Sequence, residues 1–155
     1  MLEDNRTLEQ IYNSAVKGLY ARITSYYDYL YEKFGEEGLE MIADMSRQYG
    51  LTIVPRAKKA LKNNDIDSVA SYLLRIFTTV TKTGNRLHLV IHSPDKVVIK
   101  VDECPLHFKN PKLCLAHTTM EKTVVEGLNP ELTYVIGKSI PAGDPFCEHI
   151  LMKKQ

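Results

Sequence analysis

One change of period divides this chain and restricts its fold more than any other feature. Up to about residue 84 apolar residues recur every three to four positions, and from Arg86 onward they recur every second position. The first spacing buries one face of a helix and the second buries one face of a strand. A helical half (1–84) followed by a strand-bearing half (85–155) predicts an α+β fold. With 155 residues, and no internal repeat, low-complexity stretch or linker, the chain reads as one domain spanning 1–155.

In the helical half, Thr7 and Gln10 form a capping box ahead of Leu8, Ile11, Tyr12, Ala15, Val16, Leu19 and Ile23, a stripe that continues towards Leu30 and Phe34. Gly35 is a natural left-handed stop. A second helix carries Leu39, Ile42, Met45 and Tyr49 on one face and ends at Gly50. Pro55 suits the first turn of a third helix, where a missing N–H costs nothing. Asn63, Asn64 and Asp65 break that helix, and Asp65 or Asp67 caps a fourth with Val69, Leu73, Ile76 and Val80 buried, closed by Thr83, Gly84 and Asn85.

Leu87, Leu89 and Ile91 then alternate with Arg86, His88 and Val90. Turn residues Ser93 to Lys96 follow, and Val97, Ile99 and Val101 resume the alternation, a β-hairpin pattern. Strand parity places His88 and His92 on one solvated face. A helix from about Pro111 to Glu126, stopped by Gly127, precedes strands near Leu132–Ser139 and Phe146–Lys153. The expected architecture is a helical N-terminal half packed on a four-stranded, mostly antiparallel sheet with one intervening helix, the second half running ββαββ.

Charge gives no reason to expect nucleic acid as a partner. Lys and Arg total 20 against 19 Asp and Glu, and Arg56, Lys58, Lys59 and Lys62 read as a solvated helix face. No apolar run reaches the ~20 residues that span a bilayer, so no membrane segment is expected. The N-terminus lacks the basic and apolar regions of a signal peptide, and three cysteines are an odd number. Reduced thiols in the cytoplasm are therefore expected. The excess of apolar positions in the helical half leaves room for a homodimer.

All three cysteines lie in the last third, each near a histidine: Cys104 with His107, Cys114 with His117, and Cys147 with His149. Cys114 and His117 are i and i+3 on a predicted helix, hence on one face. Cys147 and His149 are i and i+2 on a predicted strand, hence also on one face. Thiolate and imidazole ligands in tetrahedral number favour zinc, less often iron, and Cys104, Cys114, His117 and Cys147 make a reasonable set of four. Two other accounts stay open. A cysteine can act as nucleophile, or the thiols can be buried packing residues.

Asp144, in the turn Pro141 to Pro145, can serve as a general base or histidine partner beside Cys147, or simply hold a tight hairpin with Gly143. Tyr26, Tyr27, Tyr29 and Tyr31 cannot all face one side of a helix, so some should meet the sheet or a pocket.

These motifs resemble the L-2-amino-thiazoline-4-carboxylic acid hydrolase family. The likeness rests on the step Phe34 to Glu37, the stop Tyr49 and Gly50, Cys104 with Pro105, Pro111 with Cys114, Asn129 with Pro130, and Ala142 to Cys147. The ending is also similar to 4-vinyl reductase domains, which close with a Gly-Asp hairpin and carry cysteine ligands. Here Ser139 stands where those domains often have another cysteine, and His149 where an aromatic is usual. His117 or His149 is then the natural replacement ligand.

The resemblance implies a hydrolase acting on a small cyclic amidine or related C–N bond, with Cys104, Cys114 and Cys147 as site residues and Asp144 beside them. Catalysis would fall to Cys147, Asp144 and His149, through a metal-bound water or a direct thiolate attack. The competing expectation is a non-catalytic metal- or small-ligand-binding sensor or accessory module.

Overall fold

The computed structural model describes residues 5–81 and 87–155. Three helices come first: α1 (Leu8–Phe34), α2 (Glu36–Ala60) and α3 (Ile66–Thr81). The hairpin β1 (Leu87–Ser93) and β2 (Lys96–Val101) follows, then α4 (Pro111–His117), α5 (Thr119–Leu128), β3 (Leu132–Ile136), a 3₁₀ turn (Ile140–Ala142) and β4 (Cys147–Lys153). The strands form one antiparallel sheet in the order β1-β2-β4-β3, so the last strand is inserted between the two pieces built before it. The fold is α+β with a helical N-terminal half, as the period change implies.

The caps behave as the sequence suggests. Thr7 Oγ1 accepts from Gln10 N at 3.2 Å while Gln10 Oε1 accepts from Thr7 N at 2.8 Å. Gly35 adopts φ 59° between α1 and α2, a conformation that costs a residue with a Cβ. Asp65, rather than Asp67, caps α3 by accepting from Ser68 N at 2.8 Å. Thr83, Gly84 and Asn85, expected to close α3, lie outside the described residues.

Three expectations are corrected. First, residues 36–60 form one helix, not two: neither Gly50 nor Pro55 interrupts α2. Pro55 removes a backbone hydrogen bond inside the helix, at a cost of roughly 3 kcal/mol. Ile53, Val54 and Ala57, buried on either side of it, keep the helix continuous through packing. Gly50 is a contact residue rather than a stop. A Cβ there would meet Met120 O and Thr123 Cβ of α5, both at 2.9 Å, and one on Gly127 would meet Val54 Cγ2 at 2.7 Å. The two glycines let α2 and α5 approach closely, and Gly127 lies inside α5, not beyond it.

Second, the helix expected from Pro111 to Glu126 divides at Thr118 into α4 and α5. Third, a β-bulge at Val90 resets strand parity, because Leu89 pairs with Ile99 while Ile91 pairs with Val98. His92 therefore sits opposite Val97 and His88 opposite Lys100, on different faces of the sheet. His92 Nε2 meets Asp67 of α3 at 2.6 Å, and His88 Nε2 meets Asp102 at 2.7 Å.

Two buried clusters make up the interior. One joins the inner face of the sheet (Val97, Ile99, Leu132, Leu151) to α3 (Val69, Leu73), α5 (Val125, Leu128) and the end of α2 (Ile53, Ala57). The other joins Ile42 of α2 to Cys104, Leu106, Phe108, Leu113, Cys114 and Ala116, with Ile23, Tyr27 and Leu30 of α1 laid partly against it. Helix α1 itself buries no residue completely.

Candidate functional site

Between these clusters, beneath α1, lies a cavity of about 1290 Å³. Its walls come from every layer: Ile23 and Tyr27 of α1, Ser46 and Ile53 of α2, Ile76 and Phe77 of α3, Phe108 before α4, and Glu121 of α5. It opens outward along α1 and α2, where the lining residues Leu19, Tyr26, Met45 and Tyr49 are exposed. The physical origin is visible in α1. The 27-residue helix buries no residue. Tyr26 and Tyr29 point outward while Ile23, Tyr27 and Leu30 are only partly buried, so α1 lies over the cavity without closing it.

Five of the six residues singled out from the sequence line this cavity: Cys104, Cys114, His117, Cys147 and His149. Asp144 does not. Its Oδ2 accepts from Ser139 N at 2.8 Å, which ties the turn before β4 and leaves Gly143 at φ 100°. That is the hairpin-holding role, and among the described residues Asp144 makes no hydrogen bond to a histidine. Among the described residues no three His, Cys, Asp or Glu side chains converge where they could hold a metal ion. Cys104, Cys114, His117 and Cys147 thus share a cavity without forming a tetrahedral set. The hydrogen bonds made by His117 and by Cys147 are with neighbours outside that set.

Each histidine is held by a tyrosine. His117 Nδ1 lies 3.3 Å from Tyr27 OH, with its ring 5.7 Å from Phe108. His149 Nδ1 shares a hydrogen bond with Tyr134 OH, and its ring is 4.7 Å from Phe77. Burial disfavours the imidazolium and pushes both histidines down to about 4, so both are neutral at pH 7.

The thiols are all free and buried. Burial, reinforced by neighbouring Cys104 and Cys147, pushes the Cys114 thiol up to about 12. Burial also raises Cys147, against a smaller lowering from Ile140 N–H, which donates to its Sγ at 3.3 Å. Thiols in such surroundings stay protonated and are weak nucleophiles.

The residue that sequence reasoning missed is Glu121. It is 6% exposed, its Oε2 has no hydrogen-bond partner, and burial raises its carboxyl to about 7. A signal was present in the sequence. Glu121 shares the i, i+3, i+4, i+7 stripe of Val124, Val125 and Leu128, where a carboxylate has no place in an ordinary core. Ser46, also buried, lies beside Tyr27. Burial raises the Tyr27 phenol, and the Ser46 hydroxyl lowers it by less, although Ser46 Oγ completes no hydrogen bond.

No protein-family profile matches the chain, and no curated protein does. Among solved structures it is similar to a trafficking protein particle complex subunit 3 from Naegleria fowleri, crystallised covalently bound to palmitic acid. The TM-score is 0.68 at 14% identity, over 90% of this chain and 97% of that one. At that identity the likeness establishes a shared fold. Among the described residues no helix is long and apolar enough to cross a membrane.

Proposed function

We propose that this protein is a non-catalytic module that holds a long apolar small molecule, such as an acyl chain, in the cavity beneath α1. The observation that carries this reading is the cavity itself. At about 1290 Å³ it exceeds the roughly 300–1,000 Å³ of ordinary ligand sites, and its walls are mostly aliphatic and aromatic. The palmitic acid carried by the similarly folded trafficking subunit supports the choice of ligand class. The Cys114 and Cys147 thiols on the cavity wall are held protonated, which favours reversible occupancy over a thioester at either.

The hydrolytic reading has less behind it. It rests on the family resemblance, and it would need a thiolate or a base that these surroundings disfavour. Alanine at Cys114 or Cys147 that abolished turnover of a cyclic amidine would restore it. A second reading, assembly into a larger complex, is favoured by the exposed apolar residues of α1 and α2, among them Leu8, Leu19, Met41 and Met45. Three free thiols fit a reducing compartment such as the cytoplasm, which supports a cytoplasmic protein under this reading.

The direct test is organic extraction of the purified protein followed by mass spectrometry, together with titration of an uncharged fluorescent alkyl probe. Saturable binding at one site per chain is the expected result. A probe that fails to bind, with no co-purifying lipid, would sink the proposal.

A further inference from the structure

The apolar walls of the cavity explain why a hydrocarbon chain would enter, but not what its polar end would meet. Glu121 is the acidic side chain buried in that wall among the described residues. The cations that line the cavity, Arg56 and Arg75, are exposed at its edge. Both lining histidines are held by tyrosine hydroxyls. The influence of the Glu121 charge reaches Tyr20, Tyr27, Tyr134 and Cys114, on α1, β3 and α4, so it stands where several walls meet.

Leaving a buried acceptor unmade costs about 1–3 kcal/mol, and more for a carboxylate. The protein keeps this one on a helix whose neighbouring positions are aliphatic.

Resting on the reading of the cavity as a binding site, we propose that its occupant is an apolar chain ending in a hydrogen-bond donor, an amine or an alcohol, and that the Glu121 carboxylate receives that end. An ammonium group would pair with the carboxylate away from bulk water, where such contacts are strongest. A hydroxyl would supply the missing hydrogen bond to Oε2. A carboxylate head would instead set two like charges together in a poorly solvated place. The cavity therefore discriminates among ligands of equal chain length by their polar ends.

The test is calorimetric titration of the full chain near pH 8 with decylamine, decan-1-ol and decanoate, each below its micellar concentration, repeated with Glu121→Gln. In the unaltered protein decylamine is expected to bind about tenfold or more tightly than decanoate, with decan-1-ol between them. Glu121→Gln is expected to shrink the amine preference to within about threefold while leaving decan-1-ol binding in place. Decanoate binding as tightly as decylamine would overturn the proposal, as would an amine preference that survives Glu121→Gln. If the variant does not fold, the ranking in the unaltered protein decides alone. Binding without preference removes only the role of Glu121. Failure of all three ligands to bind removes the cavity reading as well.

Discussion

The two sides of this molecule are built to different standards. On the sheet side, Leu73, Val97, Ile99, Val125, Leu132 and Leu151 are almost wholly inaccessible and interlock across α3, α5 and three strands. On the α1 side no residue of the covering helix is fully buried, and a cavity of about 1290 Å³ lies beneath it. A packed interior loses attraction wherever atoms lack neighbours. The contrast therefore separates a sheet side whose packing secures the fold from an α1 side that contributes less to it.

Truncation should separate the two sides most sharply. Leu151→Ala empties a site with no exposure and is expected to cost about 3–5 kcal/mol in urea denaturation. Ile23→Ala, on the half-buried inner face of α1, already borders open space and is expected to cost about 1 kcal/mol. Equal losses would mean that the cavity closes in solution and that the two sides do not differ.

A second test uses pH. Burial raises the Glu121 carboxyl from 4.5 to about 7, so the folded state prefers its neutral form. The stability this confers is fully present below about pH 4.5 and is lost as pH rises through 7. His117 and His149 act in the opposite sense. Their values fall from 6.5 to about 4, so their contribution is present above 6.5 and is lost as pH falls through 4. Glu121→Gln removes the first effect alone. It is expected to raise stability by up to about 3 kcal/mol near pH 8 and to change little near pH 4. A pH-independent difference between variant and parent would show that the carboxyl titrates normally.

Local rules were legible on both sides of the molecule. The β1–β2 hairpin, the caps at Thr7 and Asp65 and the stop at Gly35 express local rules that tertiary packing reinforces, and each appears in the structure. Three of the misreadings share a cause. Gly50, Pro55 and Gly127 look like breakers locally, yet the contact between α2 and α5 requires small residues and holds the helix through the proline. The bulge at Val90 leaves no local mark, so the parity of His88 and His92 was misassigned. At the site, the Cys114/His117 and Cys147/His149 pairs line one cavity because short spacings on one face survive folding, whereas His107 does not join Cys104 there. Their chemistry was not legible, since it depends on burial and on Tyr27 and Tyr134, which are distant in sequence. Glu121 was legible as a charge on an apolar stripe and was overlooked.

The close contact between α2 and α5 gives the next test. Gly50→Ala would normally gain helix propensity, but its Cβ would press on the Met120 backbone at 2.9 Å. A net loss of about 1–2 kcal/mol is expected, seen as a lower melting temperature.

The mildest test is the same substitution on the other side. Gly18 lies within α1, and a Cβ there meets nothing within 4 Å. Alanine restricts the unfolded chain and suits the helix, so Gly18→Ala should stabilise by about 0.5–1 kcal/mol without affecting ligand binding. Opposite signs for one substitution at two helical glycines would measure the contrast directly: backbone contact leaves no room on one side of α2, and α1 has room to spare. A loss at Gly18 would instead show that α1 lies closer to a neighbour than its exposed faces indicate, and would favour assembly through that helix.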